Sequence, residues 1–393
     1  MRYKVCDKVG YVNIIKDNIF DTARHERESF YDDIRFSDCF IITGKGRSFC
    51  SSKLFCSELA KKRPDIRVIT TDDPGFPGNN IYEAAPVFEK QHKKISLLVN
   101  SSSGETKSPK SVVRHMANYI RDTGTEKFSI DAITSDRNSS IGSIAEKYGY
   151  VLKLKGRDGN VRKSNYNKGG IMGDVAELGS LVVQQTFGQM ICENAPPERF
   201  EVIIGNELPK IGSIVDKFVT SPFYSSLIDQ VESRVNVHIG GSGVANENSE
   251  MLATRLSHIK HALGEEVHLI NVSTTPNPRA KDVALFHSFS GGNKEYAGDT
   301  DEEEAPVVGW AEIYGKAGAN VFSIVGREKC PLAEASGNSF YIPEENRGNK
   351  PRWWYVYAAF AESPIPLSLT ERLKERGLKL PPEVLRWFHS TAE

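Results

Sequence analysis

Five short apolar runs alternate with helix-length segments between residues 39 and 154, and this rhythm constrains the fold more than any other feature of the chain. The runs are Cys39–Thr43, Arg67–Thr71, Ile95–Val99, Phe128–Thr134 and Tyr150–Leu154. They are rich in β-branched and aromatic residues and too short for helices. Phe49–Lys62, about Ile81–Lys90, Ser108–Arg121 and Ser139–Tyr148 read as helices between them. Apolar strands joined by helices predict an α/β fold with a doubly wound parallel sheet. The rhythm resumes with strands at Val235–Ile239, Val267–Val272, Asp282–Phe286 and Val321–Val325, and helices over Glu247–Leu263 and Pro306–Ala319. Repetition of the same element order predicts a duplication.

The 393-residue length suits two domains. The expected divisions are an N-terminal helical segment over 1–36, a first sheet domain over 37–160, connecting helices over 161–233, a second sheet domain over 234–345 and a C-terminal helical tail over 346–393. A long apolar helix is expected through about Ile191, and tail helices near Leu369–Arg376 and Pro382–Phe388. The aromatic cluster at Trp353, Trp354, Tyr355, Tyr357 and Phe360 reads as core or interface.

In a doubly wound sheet, ligands sit beyond the carboxyl ends of the strands. Two turns are expected there. Gly44–Ser48 follows the first strand, and Asn100–Thr106 follows the third. The second turn carries Ser101, Ser102, Ser103 and Thr106 around Gly104, directly before a helix. Unpaired N–H groups at a helix start, the positive end of its dipole and several hydroxyl donors together make an anion cradle. The competing reading of one such hydroxyl is an ordinary N-cap. The hydroxyls of Ser101, Ser103 and Thr106 with a glycine in one turn favour a phosphate. Ser102 is expected to act through its backbone N–H, Ser48 to cap its helix or meet the ligand, and Lys45 and Arg47 to be flanking charges.

Net charge is −1, which supplies no field to attract nucleic acid or an acidic membrane. No apolar run is long enough to span a bilayer, and the N-terminus lacks a signal-peptide core. The six cysteines form no C-x-x-C pair and read as reduced thiols in a cytoplasmic protein. The acidic run Asp299–Glu304 reads as a solvated loop, and His258 and His261 share a helix face without a third ligand, so no metal is expected. There is neither a Walker lysine motif nor a dinucleotide fingerprint, so no cofactor is expected.

The first half resembles the SIS (sugar isomerase) domain, a flavodoxin-like fold. The resemblance rests on Thr43-Gly44-Lys45-Gly46-Arg47-Ser48, on Ser101-Ser102-Ser103-Gly104-Glu105-Thr106, and on Ile133-Thr134 followed by Ser139-Ser140-Ile141. The second half looks like a diverged copy. Gly241–Ala245 has alanine at the serine position, Ser288–Asn293 has Asn293 for threonine, and Pro331-Leu332-Ala333 takes the third place. Met172-Gly173-Asp174-Val175-Ala176-Glu177 resembles the M-G-x-x-x-E that opens the helix after the sheet in hexuloisomerase-like members.

The resemblance implies a phosphosugar isomerase of aldose–ketose type, working through an enediol, with a sugar phosphate as its partner and a homodimer as its assembly. Ser48, Ser101, Ser102, Ser103 and Thr106 would hold the phosphate, and Gly44 and Gly46 would line the substrate. Glu177 would move the proton; without the resemblance, its place at a helix start reads first as a helix-dipole partner. His287 and His238, expected at strand carboxyl ends of the second half, would assist ring opening or be structural. A non-catalytic phosphosugar sensor and an amino-sugar-phosphate deglycase or deaminase stay open as alternatives, because fold alone does not establish catalysis.

Overall fold

The computed structural model describes residues 9–156, 174–270, 277–292, 306–378 and 380. Met172, Gly173, Asn293, the Asp299–Glu304 run and the Pro382–Phe388 segment lie outside the described residues.

Two helices come first, α1 (Tyr11–Asp21) and α2 (Arg24–Ile34). The first α/β unit follows: β1 (Cys39–Gly44), α3 (Gly46–Lys62), β2 (Arg67–Thr70), α4 (Ile81–Gln91), β3 (Ile95–Asn100), α5 (Lys107–Thr123), β4 (Phe128–Thr134), α6 (Ser140–Tyr148) and β5 (Gly149–Lys153). Three helices lead onward: α7 (Asp174–Glu193), α8 (Arg199–Val219) and α9 (Pro222–Glu232). The second unit holds β6 (Val237–Gly241), α10 (Ala245–Ala262), β7 (Val267–Ile270), β8 (Val283–Ser288), α11 (Pro306–Lys316), β9 (Asn320–Val325), α12 (Pro331–Ser336) and β10 (Asn338–Tyr341). Helices α13 (Trp354–Glu362) and α14 (Pro364–Glu375) complete the described chain.

Each sheet has five parallel strands, ordered β2-β1-β3-β4-β5 and β7-β6-β8-β9-β10. The duplication is therefore visible in topology. The strand β10 and the short helix α12 extend the second copy beyond the strands legible in its sequence.

Strand residues alternate between two cores, as the pleat requires. In the first sheet, Cys39, Ile41, Leu97, Val99 and Ile130 pack under α4, α5 and α6. Phe40, Ile42, Leu98 and Ile133 face the other way, into a cluster that reaches Phe187, Ile204, Leu252, Leu285 and Trp353. That shared core joins the two halves, with α3 packed on both α7 and α10. Trp353 and Trp354 are fully buried within it, and the Trp353 indole donates to Gln189 Oε1 at 2.9 Å. The aromatic cluster is core, as expected from its composition.

Candidate functional site

The backbone shapes the two turns of the first copy. Gly46 and Gly104 have φ of +54° and +64°, values open to glycine and costly for other residues. At Gly44 a Cβ would come within 3.1 Å of the Phe49 side chain and 3.3 Å of Asn100 O, because the ends of β1 and β3 lie close together. Register confirms the placement: Gly44 pairs with Asn100, the last residues of their strands.

Thr106 is the N-cap residue of α5, yet its side chain makes no capping bond. Its hydroxyl instead lies 3.5 Å from Ser101 Oγ. Ser103 Oγ accepts from the Glu105 N–H at 3.2 Å. Ser102 holds the turn in place, its carbonyl accepting from the Ser135 N–H at 3.0 Å. Glu105 is exposed, and its carboxylate accepts from Ser140 N and Oγ at 2.6 and 2.9 Å and pairs with Lys110 at 3.0 Å. The Ser140 backbone bond, the Lys110 bond and the Ser140 hydroxyl keep that carboxyl below its usual range.

Asn100 ties this turn to its neighbours. Its Nδ2 donates to Ser48 O at 2.8 Å and Ser180 Oγ at 3.0 Å. Ser180 Oγ in turn donates to the Glu177 carbonyl at 2.8 Å, and Ser51 Oγ to the same carbonyl at 3.2 Å. Ser48 and the first turn of α7 thus meet at the end of β3.

Glu177 is only 4% exposed, and its carboxylate is engaged by two guanidiniums. Arg255 Nη2 is 2.8 Å and Arg47 Nε 3.5 Å from Oε2. Arg47 is itself buried, so it is not the solvated or steering flank that its sequence position suggested. Burial and the neighbouring Arg255 push its guanidinium down to about 10, against the pull of Glu177. Arg255 comes from α10 and joins the two halves of the chain at this point.

Both arginines line a narrow cleft with Met251, Leu252, Glu362 and Ser363. Glu362, at the end of α13, is 2% exposed and hydrogen-bonds His287 Nε2. His287 lies near the carboxyl end of β8, as expected, with Nδ1 2.9 Å from Ser249 Oγ and 3.3 Å from Gly240 O. Partners of Glu177 and of His287 therefore meet on one cleft. Residues 101–106 do not line it; Ser48, which follows Arg47 in α3, meets the turn through its carbonyl, which accepts from Asn100.

His238 is placed differently from expectation. It is the second residue of β6, paired in register with Ala284 and His268, and so sits at the amino end of the sheet. Its ring lies between Asp282 Oδ2 at 3.2 Å and Tyr314 OH at 3.0 Å and stacks on His268 at 4.8 Å. Burial lowers its pKa, opposed by the Asp282 bond. It belongs to a structural network on the face away from the crevice.

The second copy keeps the backbone of the turns and loses hydroxyls. Gly243 and Gly291 have φ of +57° and +65°, matching Gly46 and Gly104. Leu332 N donates to Gly291 O at 3.0 Å as Ile141 N does to Gly104 O at 3.1 Å. Ala245 stands where Ser48 does, and Cys330, the N-cap of α12, where Ser139 caps α6. Phe289 stands at the Ser102 position, buried between the guanidiniums of Arg352 at 3.8 Å and Arg327 at 4.9 Å from its ring centre.

Among the described residues, Cys50, Glu247 and Glu250 have donor atoms close enough for a metal. The Lys53 ammonium already sits 2.8 and 3.1 Å from the two carboxylates, and burial raises the Cys50 thiol well above its usual range. This group reads as an ion pair across the two halves, not a metal centre.

Arg255, Glu362 and Ser249 were not legible as site residues. Each lies within a helix, outside any motif; Ser249 and Glu362 reach His287 through the packing of α10 and α13 around β8, and Arg255 reaches Glu177 across the two halves.

No family model matches the sequence, and no curated protein matches it. Solved structures do resemble the fold. A putative tagatose-6-phosphate ketose/aldose isomerase from Clostridium novyi NT is 15% identical, covering 93% of this chain and 88% of that one, with a TM-score of 0.63. The tagatose-6-phosphate ketose/aldose isomerase from Escherichia coli is 13% identical over 93% of this chain and 90% of its own, at a TM-score of 0.59. A glucosamine-6-phosphate deaminase from Thermotoga maritima is 12% identical over 93% and 95%, at 0.52. No described helix is long and apolar enough to cross a membrane. The two sheets of matching strand order, the paired glycine turns and these likenesses give this chain the tandem SIS fold of the phosphosugar isomerase structures.

Proposed function

We propose that this protein is an aldose–ketose isomerase acting on a sugar phosphate. The observation that carries the reading is a hydrogen-bonded link between two features: Asn100, which opens the turn at the end of β3, donates to Ser180 Oγ, and Ser180 donates to the Glu177 carbonyl. One is a hydroxyl-rich turn whose Thr106 side chain makes no capping bond, and the other is a buried carboxylate between two guanidiniums. Ser48, Ser101, Ser103 and Thr106, with the Ser102 N–H, hold the phosphate. Gly44 and Gly46 let the chain approach the sugar. Glu177 removes the proton from the carbon beside the carbonyl, forming an enediolate, and returns it to the neighbouring carbon. Negative charge then moves from the Glu177 carboxylate to the enediolate oxygen. Arg47 and Arg255, already fixed beside it, stabilise the charge in both places without rearranging.

Sugar phosphates are retained inside cells by their charge, so the reading places the enzyme in the cytoplasm. A homodimer is the assembly implied by the motif resemblance, and sedimentation equilibrium tests it. The rival reading is a non-catalytic phosphosugar sensor, favoured by the depth of Glu177 and its double ion pair. An amino-sugar-phosphate deaminase would begin with the same proton at the same carbon.

The test is conversion of fructose 6-phosphate, tagatose 6-phosphate and glucosamine 6-phosphate by the parent and by Glu177→Gln. The reading expects conversion by the parent and a loss of about a thousandfold or more in the variant, the scale of a missing proton-transfer group. Binding of a sugar phosphate without conversion would make the protein a sensor.

A further inference from the structure

Glu362 is a carboxylic group that no motif announces. It lines the inter-domain cleft while remaining 2% exposed, and its one described hydrogen-bond partner is His287. His287 is completely buried. On its far side, Nδ1 faces Ser249 Oγ at 2.9 Å and Gly240 O at 3.3 Å.

The contact between Glu362 Oε1 and His287 Nε2 holds one proton whatever the tautomer. With none, an imidazole lone pair would face a carboxylate; with two, N–H would face O–H. If Nδ1 donates to Gly240, which can only accept, the proton on the Nε2 side is shared between ring and carboxyl. If Nδ1 accepts from Ser249, Nε2 is itself protonated. Either way the pair is a reservoir of a single proton, with only its Glu362 end at the cleft. Ser249 is 0% exposed, so it orients the ring and has no access to a substrate as a nucleophile.

The cleft is lined by Glu362 and, beside it, by Arg47 and Arg255, the two guanidiniums that hold Glu177. Glu177 is held by guanidiniums, and Glu362 by a proton-sharing imidazole.

We infer that Glu362 is the ring-opening residue for a cyclic sugar phosphate, with His287 as its positioning residue. The inference rests on the isomerase reading for its substrate class. The Glu362–His287 pair takes the proton from the anomeric hydroxyl. The oxygen's electrons form the carbonyl, the bond from the anomeric carbon to the ring oxygen breaks, and its electron pair stays on the ring oxygen. That oxygen receives the proton the pair already held as the anomeric proton arrives on the other Glu362 oxygen, so the pair never holds two and the protein ends with the protons it began with. Glu177 then acts on the open chain.

Ring opening is measurable without isomerisation, because the α and β anomers of a sugar phosphate interconvert only through the open chain. The experiment is magnetisation-exchange NMR between the anomers of glucose 6-phosphate, fructose 6-phosphate and glucosamine 6-phosphate. The parent is expected to speed exchange of at least one probe by about tenfold or more over buffer, and Glu362→Gln to return it to the buffer rate. Ser249→Ala keeps the carboxyl group and is expected to slow exchange and displace its pH profile, a change that loss of packing alone would not produce. It also serves if Glu362→Gln does not fold. Exchange in Glu362→Gln at the parent's rate overturns the inference, as does a parent that speeds no probe. In the unfolded-variant case, parental rate and pH profile in Ser249→Ala overturn it. A parent that speeds exchange but never interconverts aldose and ketose defeats the isomerase reading and leaves this inference standing.

Discussion

Alanine at Gly104 and at Gly291 makes a matched pair of perturbations, one in each copy. Both glycines have left-handed backbones, with φ of +64° and +65°. An L-residue there costs about 1–2 kcal/mol in backbone strain. The new methyl of Gly104→Ala would land on the Ser139 hydroxyl, and that of Gly291→Ala on the Cys330 sulfur. Overpacking of this kind costs roughly 1–3 kcal/mol. Each variant should therefore lose about 2–5 kcal/mol in urea unfolding, with nearly equal losses. Binding should separate them. Gly104 shapes the turn with the hydroxyl donors, whereas Gly291 sits in a turn filled by Phe289. Titration calorimetry with fructose 6-phosphate should show affinity falling about tenfold, or 1.4 kcal/mol, in Gly104→Ala and holding within about twofold in Gly291→Ala. Equal weakening by both, or parental affinity in Gly104→Ala, would refute the assignment of the phosphate to the first copy.

Two stability predictions follow from buried charge. Asp131 lies in the middle of β4 with Ser96 and Ser129 hydroxyls at 2.6 and 2.7 Å, and burial, then Asp33 of α2, pushes its carboxyl up to about 8. The folded form therefore prefers the proton, so this contribution is complete below about pH 4 and is lost as pH rises through about 8, at up to about 1.4 kcal/mol per pH unit. Asp131→Asn should flatten that slope in urea midpoints taken from pH 5 to 9; an unchanged slope contradicts the assignment. Lys260 is 0% exposed, donates to the Val231 and Ser233 carbonyls at 2.9 and 3.1 Å and pairs with Glu265. Lys260→Met should cost about 3–5 kcal/mol by leaving Glu265 buried and unpaired, and adding Glu265→Gln should recover part of it.

The sheets were legible because parallel strands bury both faces and so read as mainly apolar runs, as in Ile95–Asn100 and Phe128–Thr134, where the buried Ser96 and Ser129 hydroxyls donate to the buried Asp131. β10 was not, because its Asn338–Tyr341 residues are mostly exposed at a sheet edge. The glycine turns were legible because their φ values admit little else, and the serine-rich turn because donors within one turn are also neighbours in sequence. His238 was misplaced because a strand predicted to begin at Val235 begins at Val237, which moves the histidine toward the amino end. Arg47 was read as a surface charge because nothing local indicates that α10 covers it. Arg255 and Glu362 are separated from Glu177 by 78 and 185 positions and meet it, or its partners, only through the packing of the two copies.

The central claim is that Glu177 moves a proton at the carbon beside the carbonyl of a bound sugar phosphate. Its most direct test is to incubate the protein with fructose 6-phosphate and tagatose 6-phosphate in deuterium oxide and follow C2 of the aldose product by NMR. The parent should form the aldose and carry solvent deuterium into C2, and Glu177→Gln should bind the same sugar and do neither. Binding by the parent without product or deuterium, or deuterium entering as fast in Glu177→Gln, would contradict the account.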